Sequence, residues 1–390
     1  MALILLALDY PPARGGIQRY CLELARVLRR QGEQVLVIAS AQPQAAALDA
    51  AQDFPTLRVS ADSRTSAALA LVQAAEQAIA DDLLGEPVSA VLCGKWFPEG
   101  AAALLLRRRL GLPYVVLAYG REVTLTGLNV MKWLMQRTVV RGATGALAIS
   151  HYTLGQVRRR GLAEGRGAVI YAGVEPAEFQ PDPGAVAAWR QRLGLGEEKT
   201  LLTVSRLVSR KGQDQVLRAL PQVREAVGPV RYLVAGEGPA AGRLRELAAR
   251  LGLAEAVSFL GEVPDADLPA LYALADVFVM PSRDLPGQPI EGFGLVYLEA
   301  TLCGTPCVGG CTGGTPEALL DGETGLLVDP ERPAEIAAAL ERLLTEPGLG
   351  ERLVAAGQER LRAQFTWDHV AAGARQALAG WGLLPPGEES

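Results

Sequence analysis

The sequence contains few of the residues on which several protein classes depend. Its 390 residues include only five cysteines and two histidines, too few for a disulfide framework. No apolar run approaches the ~18 residues of a membrane-spanning helix. The start of the chain lacks the basic stretch of a signal peptide and reads better as a buried strand. These absences lead us to expect a cytoplasmic protein with reduced thiols.

A convincing metal pattern is also missing. Cys303, Cys307 and Cys311 follow a C-x3-C-x3-C spacing that zinc sites do not use, and no histidine is near them. We expect them to be buried structural thiols. Asp265-Ala-Asp267 matches the D-x-D pattern, but it directly precedes a helical stretch, which favours helix capping. We therefore expect no required cofactor, and Mg²⁺ is not indicated.

The composition is that of a folded protein with more than one core. Hydrophobic residues make up 49% and charged residues 21% of the chain, which argues against disorder, and the length favours two domains. The net charge is −5, but residues 1–175 hold 19 basic and 14 acidic side chains, so the remainder is the acidic part. The basic excess lies in residues 100–166. It predicts an anionic partner such as a membrane surface, a phospholipid or a phosphorylated glycan, rather than nucleic acid.

Short apolar runs alternate with helical patterns almost throughout, which predicts parallel sheets with right-handed crossovers. A proline-rich segment at 174–183 separates two series of strands. We predict an α/β protein of two Rossmann-like domains, 1–175 and 176–366, whose mostly parallel sheets face each other across a cleft, with residues 367–390 packing back on the first. The predicted strands are Ala2–Leu8, Val35–Ala39, Ala90–Cys93, Tyr114–Ala118, Gly145–Ile149, Ala168–Ile170, Lys199–Val204, Val230–Ala235, Val257–Leu260, Val277–Met280, Pro306–Gly309 and Gly325–Val328.

Two cations follow the first strand of the second series. Arg206 and Lys211 lie between this strand and a helix that starts near Gln213. An arginine fork and a lysine point charge suit a diphosphate at a strand end. Taken alone, the same pattern also fits a solvated basic turn.

The loop and helix after the fourth strand of this series form the most informative segment. The exposed N–H groups of Gly294, Leu295 and Val296 at the start of the helix can hold a phosphate. Glu291, just before the helix, can face a sugar, and Glu299, within it, can accept hydrogen bonds from ribose hydroxyls. A helix-dipole carboxylate at Glu291 and a surface residue at Glu299 are the simpler alternatives.

Two glycine motifs open helices. Gly15 and Gly16 expose N–H groups that could form an anion site or only a tight turn. Gly236-Glu-Gly238 partly matches the dinucleotide fingerprint G-x-G-x-x-G/A. That fingerprint should follow the first strand of its domain, and Pro239 interrupts it here, so we do not expect a nicotinamide cofactor.

Together these segments resemble the retaining glycosyltransferases of family 4, which have the GT-B fold. The basic pair, the E-x7-E element formed by Glu291 and Glu299, and the N-terminal glycine loop match in order along nearly the whole chain. Among them, bacterial phosphatidylinositol mannoside mannosyltransferases that use GDP-mannose look most similar. The segments that carry this similarity are Pro11-Pro12, Gly15-Gly16-Ile17-Gln18, Ser205-Arg206-Leu207-Val208, Arg210-Lys211-Gly212-Gln213-Asp214, Glu291-Gly292 and Gly294-Leu-Val-Tyr-Leu-Glu299-Ala300.

The resemblance implies a hexosyltransferase that moves mannose from GDP-mannose onto a lipid-linked or glycan acceptor. It implies that Glu291, Arg206 and Lys211 carry the chemistry and that Glu299 contacts the ribose. The donor diphosphate's oxygen would take the acceptor proton, so no histidine base is required. A UDP-sugar transferase of the same family and a nucleotide-sugar epimerase or hydrolase on the same fold are the alternatives.

One segment departs from the family pattern. Relatives commonly carry a His-Gly-x-Glu segment, whereas this chain reads Tyr119-Gly-Arg121-Glu. We therefore place Tyr119 and Arg121 on the acceptor side of the site. Glu262 and Val263, after a predicted strand, are our candidates for the pocket of the nucleotide base.

A helical stretch in the first domain combines apolar and basic residues. The stretch Leu128–Arg141 carries Met131 and Trp133 together with Lys132 and Arg137. It could rest on the inner face of the cell membrane as a peripheral contact, or pack on the sheet with a solvated basic edge.

Overall fold

A computed structural model of the chain describes residues 1–13, 15–120 and 130–386. The chain divides into two compact units. The first comprises Met1–Gly173 together with the chain from Trp367 onward, and the second comprises Val174–Thr366. Within the described residues, no helix combines the length and the apolar character needed to cross a bilayer.

The first unit is built on a parallel sheet of strands β1 to β7. Their order is β3-β2-β1-β4-β5-β6-β7, and every residue of β1 is buried because helices cover both faces of the sheet. The strands are β1 Ala2–Ala7, β2 Gln34–Ser40, β3 Thr56–Val59, β4 Val88–Cys93, β5 Tyr114–Ala118, β6 Gly145–Ala148 and β7 Gly167–Val169. The helices described in this unit are Gly16–Arg30, Ala45–Ala50, Arg64–Ala80, Glu99–Leu110, Val130–Gly142, His151–Arg159 and Trp367–Gly380.

The last helix of the chain is anchored inside the first unit. The ring of Trp367 lies 5.9 Å from that of Tyr20 on the first helix. Arg375 forms an ion pair and a hydrogen bond with the buried Glu33. These contacts explain why a helix at the C-terminal end belongs to the N-terminal unit.

The second unit repeats the architecture with six parallel strands in the order β10-β9-β8-β11-β12-β13. Consecutive strands are joined through helices, as parallel pairing requires. The strands are β8 Lys199–Val204, β9 Val230–Ala235, β10 Val257–Gly261, β11 Val277–Met280, β12 Cys307–Gly310 and β13 Leu326–Val328. The α-helices are Pro183–Arg192, Gln213–Val227, Ala241–Arg250, Leu268–Leu274, Leu295–Leu302, Thr315–Ala318, Pro333–Thr345 and Leu349–Gln364.

Three features differ from what the sequence predicts. Strand Thr56–Val59 is absent from the predicted strands because it lies at a sheet edge, where all four residues are only half-buried and form no apolar run. Cys311 is exposed at the end of β12, so the expectation of a buried thiol is wrong there, although Cys303 and Cys307 are buried. Asp267 precedes its helix without making a side-chain capping hydrogen bond, so the capping expectation is also wrong.

Candidate active site

The candidate site lies at the carboxyl ends of three neighbouring strands of the second unit. Strands β8, β11 and β12 are adjacent in the sheet, so their following loops emerge side by side. The loop after β8 carries Arg206, Arg210 and Lys211, and the loop after β11 carries Glu291. Side chains about eighty positions apart in sequence therefore meet at the carboxyl ends of these strands.

Glycines let these loops pack backbone against backbone. A Cβ atom on Gly212 would overlap the carbonyl oxygen of Pro281, and one on Gly314 would overlap that of Gly292. The N–H of Gly314 donates to the carbonyl oxygen of Glu291 at 2.9 Å. The glycine-rich turn after β12 therefore supports the backbone that presents Glu291.

The motif Gly236-Glu-Gly238 supports the loop after β8 in the same way. Added Cβ atoms would overlap the carbonyl oxygen of Ser205 at Gly236, and backbone atoms of Leu207 at Gly238. The N–H of Leu207 donates to the carbonyl oxygen of Glu237 at 2.8 Å. This packing accounts for the glycines without a dinucleotide.

Glu291 is held by two cations. Its Oε2 accepts a hydrogen bond from Lys211 Nζ at 2.5 Å and another from Arg210 Nη1 at 3.2 Å. Oε1 makes no hydrogen bond with the described residues. Burial alone would raise the pKa of Glu291, but the attraction of Lys211 and then of Arg210, with their hydrogen bonds, outweighs it and lowers the pKa to about 2. Glu291 is therefore a carboxylate with one oxygen open to a further donor.

Lys211 is the most enclosed cation of the cluster. Its side chain is 11% exposed, and Nζ also lies 3.4 Å from Met280 Sδ at the end of β11. Burial lowers the pKa of Lys211, and Glu291 opposes that shift while Arg210 and Arg206 add to it. The buried lysine thus depends on its carboxylate partner to stay charged.

Arg206 presents a different environment from Lys211. It is exposed, and its guanidinium forms no hydrogen bond or ion pair within the described part of the chain. Its backbone is fixed instead, because Gln213 Nε2 donates to the Arg206 carbonyl oxygen at 3.3 Å and to Ser205 Oγ at 2.9 Å. The guanidinium is therefore available for an anionic ligand beside the Lys211 charge.

Helix Leu295–Leu302 begins beside this cluster. Gly294, its N-cap residue, has a φ of 98°, a left-handed conformation that glycine adopts without strain. The N–H groups of Leu295 and Val296 belong to the first turn and have no partner within the helix. This end of the helix can accept an anion.

Glu299 lies one turn further along the same helix and is half-buried. Its Oε2 accepts a hydrogen bond from the hydroxyl of Tyr272 at 2.7 Å. Burial raises the pKa of Tyr272 well above its usual value, and Glu299 adds to that shift, so the tyrosine stays protonated and donates. The two glutamates of the E-x7-E element are thus both oriented, one by cations and one by a phenol.

The remaining predicted site residues belong to other segments of the chain. Val263 is buried two residues after β10, two strands away from β8. In the first unit, Gly15 precedes helix Gly16–Arg30 with a φ of 145°. Tyr119 is buried at the end of β5, and its hydroxyl lies 3.2 Å from Cys21 Sγ. Arg121 lies outside the described residues. The roles of all of these residues stay predictions.

Two residues that hold the glutamates have no signal in the local sequence. Arg210 has no role that its local sequence predicts, yet it contacts Glu291, because the turn Ser209–Lys211 is a 3-10 helix that presents both cations together. Tyr272 has no such signal either, since it lies in an apolar helix and its contact with Glu299 spans 27 positions.

Within the described residues, no group of three or more His, Cys, Asp or Glu side chains could hold a metal ion.

Two family profiles match the chain in succession. "Glycosyltransferase Family 4" matches residues 14–178, and "Glycosyl transferases group 1" matches residues 186–360. The chain is 35% identical over 384 residues to a protein of Mycobacterium tuberculosis named GDP-mannose-dependent alpha-(1-6)-phosphatidylinositol monomannoside mannosyltransferase, covering 97% of this chain and 98% of that protein. It is 30% identical to the GDP-mannose-dependent monoacylated alpha-(1-6)-phosphatidylinositol monomannoside mannosyltransferase of Corynebacterium glutamicum, covering 92% and 93%.

Solved structures share the fold at lower identity. The Anabaena protein Alr3699/HepE in complex with UDP and glucose superposes with a TM-score of 0.81 at 20% identity, covering 97% of this chain and 99% of that one. WaaG, a glycosyltransferase involved in lipopolysaccharide biosynthesis, gives a TM-score of 0.69 at 19% identity over 96% and 98% of the two chains. These similarities confirm the predicted GT-B class of α/β fold.

Proposed function

Because the chain belongs to the family 4 glycosyltransferases, we propose that it transfers a mannosyl group from GDP-mannose to a lipid-linked acceptor with retention of the anomeric configuration. The geometry that carries the proposal is the cluster of Lys211, Arg210 and Glu291 at the ends of β8 and β11. The relatives of similar length whose names specify GDP-mannose support the choice of donor.

The donor diphosphate would be bound by positive charge from three directions. The exposed guanidinium of Arg206 takes one phosphate oxygen, and Lys211 supplies a point charge at the same strand end. The N–H groups of Leu295 and Val296 receive the second phosphate at the start of their helix. When the sugar bond breaks, negative charge grows on this diphosphate, and each such donor contributes ~3 to 4 kcal/mol to transition-state stabilisation.

Glu291 and Glu299 would orient the two ends of the donor. Glu291 uses its open Oε1 to accept a hydroxyl of the sugar, while Lys211 and Arg210 hold Oε2. Glu299, held by Tyr272, accepts hydrogen bonds from the ribose. The reacting carbon is then held against the leaving phosphate oxygen, which can take the acceptor proton on the same face of the sugar.

The first unit would meet the acceptor, and helix Val130–Gly142 is our proposed membrane contact. Val130 and Met131 are each 71% exposed and Leu134 is 47% exposed, an unusual density of apolar side chains on one helix end. Arg137, whose guanidinium lies 5.2 Å from the Trp133 ring centroid, adds positive charge beside them. This combination fits an anionic lipid surface.

A donor panel tests the reaction. The protein is incubated with GDP-mannose, UDP-glucose or ADP-glucose and a phosphatidylinositol mannoside, and sugar transfer and nucleotide release are followed. Melting curves with GDP, UDP and ADP run in parallel, since ligand at a hundred times its Kd stabilises by about 2.7 kcal/mol. GDP-mannose should be consumed and GDP should give the largest melting shift. A response to UDP with none to GDP would instead indicate a UDP-sugar transferase, and nucleotide release with no glycosylated product a hydrolase.

A flotation assay tests the membrane contact. Vesicles with 30% anionic lipid are mixed with the protein and with the variant Met131→Asp, which should reduce binding by about tenfold because it places a charge in the apolar patch. The matched control is Leu69→Asp, because Leu69 is 49% exposed on a helix of the same unit outside the patch. Equal binding by both variants would argue against this surface.

A further inference from the structure

Arg283 lies just outside the cluster described above, three residues after β11. Its side chain is only 10% exposed, which is unusual for arginine and requires that its charge and its donors be satisfied. Nothing in the proposed reaction uses it directly. Its contacts nevertheless reach the turn that carries the two cations on Glu291.

The guanidinium makes hydrogen bonds in three directions. Nε donates to the carbonyl oxygen of Ser209 at 2.9 Å, and Nη2 donates to both carboxylate oxygens of Asp214 at 2.9 Å each. Nη1 donates to Oε2 of Glu331 at 3.3 Å. These partners belong to the turn after β8, the first turn of helix Gln213–Val227 and the segment after β13.

The backbone of Arg283 completes the attachment. Its N–H donates to the carbonyl oxygen of Arg210 at 2.8 Å. The 3-10 turn Ser209–Lys211 is therefore held at two consecutive carbonyl groups by one residue of the neighbouring loop. The same turn presents Arg210 and Lys211, whose hydrogen bonds end on Glu291.

We propose that Arg283 is a positioning residue that locks the turn Ser209–Lys211 so that Arg210 and Lys211 meet Glu291. This inference rests on the proposed function of that site. Arg283 acts through geometry and adds little charge of its own, because Asp214 and Glu331 flank it. Only a planar guanidinium has donors in all three directions, so lysine cannot replace it.

The alternative is a structural role in which Arg283 only stabilises the fold. The two roles predict different behaviour of fully folded protein. Loss of a positioning residue lowers turnover at temperatures where the variant is folded, and its effect overlaps with the loss of the residue that it positions. Loss of a structural residue lowers the melting temperature and leaves the folded enzyme active.

The experiment compares Arg283→Ala and Arg283→Lys with the control Arg332→Ala. Arg332 is a nearby arginine whose side chain is 69% exposed and forms ion pairs with Asp329 and Glu335. At a temperature where circular dichroism shows each variant folded, kcat/KM for GDP-mannose should fall about 30-fold in both Arg283 variants and stay within about twofold for Arg332→Ala. If Arg283→Ala does not fold, Arg283→Lys carries the comparison.

Two further measurements separate positioning from stability. Arg283 borders a cavity of about 240 Å³ shared with Ser209 and Asp214, so millimolar guanidinium should restore about tenfold activity to Arg283→Ala. In the Arg210→Ala background, Arg283→Ala should have little additional effect. Unchanged kcat/KM in folded variants, or fully additive effects with Arg210→Ala, would overturn the inference. A wild-type protein that transfers no sugar at all would refute the proposed function instead.

Discussion

Replacing Glu291 by Gln should make the stability of the second unit much less dependent on pH. Glutamine has the shape of a protonated glutamate, so the variant keeps the packing of the site and removes only the charge that Lys211 and Arg210 hold. Glu291 is largely buried, with 14% of its side chain exposed, so its charge interactions are weakly screened by solvent.

The magnitude follows from the pKa of the carboxyl group. It falls from its ordinary value of 4.5 to about 2 in the folded chain, and each pH unit of difference is worth about 1.4 kcal/mol. A carboxyl whose pKa is depressed by folding stabilises the native state above its unfolded pKa and loses that contribution as the pH falls toward the folded pKa. The charged form should thus contribute about 3 kcal/mol at pH 7 and about half of that at pH 3.

The assay is urea unfolding of the wild type and of Glu291→Gln at several pH values between 7 and 3. Because the chain has two units, hydrogen exchange of the β8 amides identifies the transition that belongs to residues 174–366. The variant should be about 3 kcal/mol less stable at pH 7, and this difference should stay nearly constant to about pH 5 and then fall to about half at pH 3.

The control is Glu335→Gln, which removes an exposed carboxylate paired with Arg332 on the surface of the same unit. It should change the unfolding free energy by less than about 0.5 kcal/mol at any pH. A Glu291→Gln penalty that stays the same from pH 7 to pH 3, or one below about 1 kcal/mol at pH 7, would show that the two cations do not hold an ionised Glu291.

Three further predictions address other parts of the chain. Gly314→Ala should lower the melting temperature markedly, because the added Cβ would overlap the backbone of the loop after β11. The control Gly242→Ala adds a Cβ where a helix has open space around it, and it should raise the unfolding free energy by about 0.5 to 1 kcal/mol. Equal effects of the two variants would refute the packing argument. Tyr272→Phe removes the hydrogen bond to Glu299 and should weaken GDP binding about threefold to tenfold, as measured by calorimetry. An unchanged affinity for GDP would contradict the proposed contact between Glu299 and the ribose. Iodoacetamide should label only Cys311 in the native protein, because the other four thiols are buried and burial raises the pKa of Cys307 to about 12. Mass spectrometry locates the label, and labelling of a second cysteine without unfolding would contradict that burial.

Much of the fold was open to prediction because its signals are local. Buried parallel strands need continuous apolar runs, and the first helix opens at a glycine pair, so the series of strands and helices is written into short stretches of sequence. The exception is β3, an edge strand whose half-buried residues have no such signature. The identity of the E-x7-E element and of the basic pair was equally readable, since those motifs have fixed spacing.

The side-chain pairings of the site join residues that lie 27 to 81 positions apart in the chain. No local pattern indicates that Arg210 joins Lys211 on Glu291, or that Tyr272 holds Glu299. The two pairings on Glu291 depend on how the loops after β8 and β11 pack together, which requires glycines such as Gly212 and Gly314 to admit backbone contact. The sequence by itself determined the elements and the candidate residues, because propensity and periodicity act over a few positions. Only the tertiary structure decided which charges neutralise one another, because burial and distance exist only after the strands have assembled into a sheet.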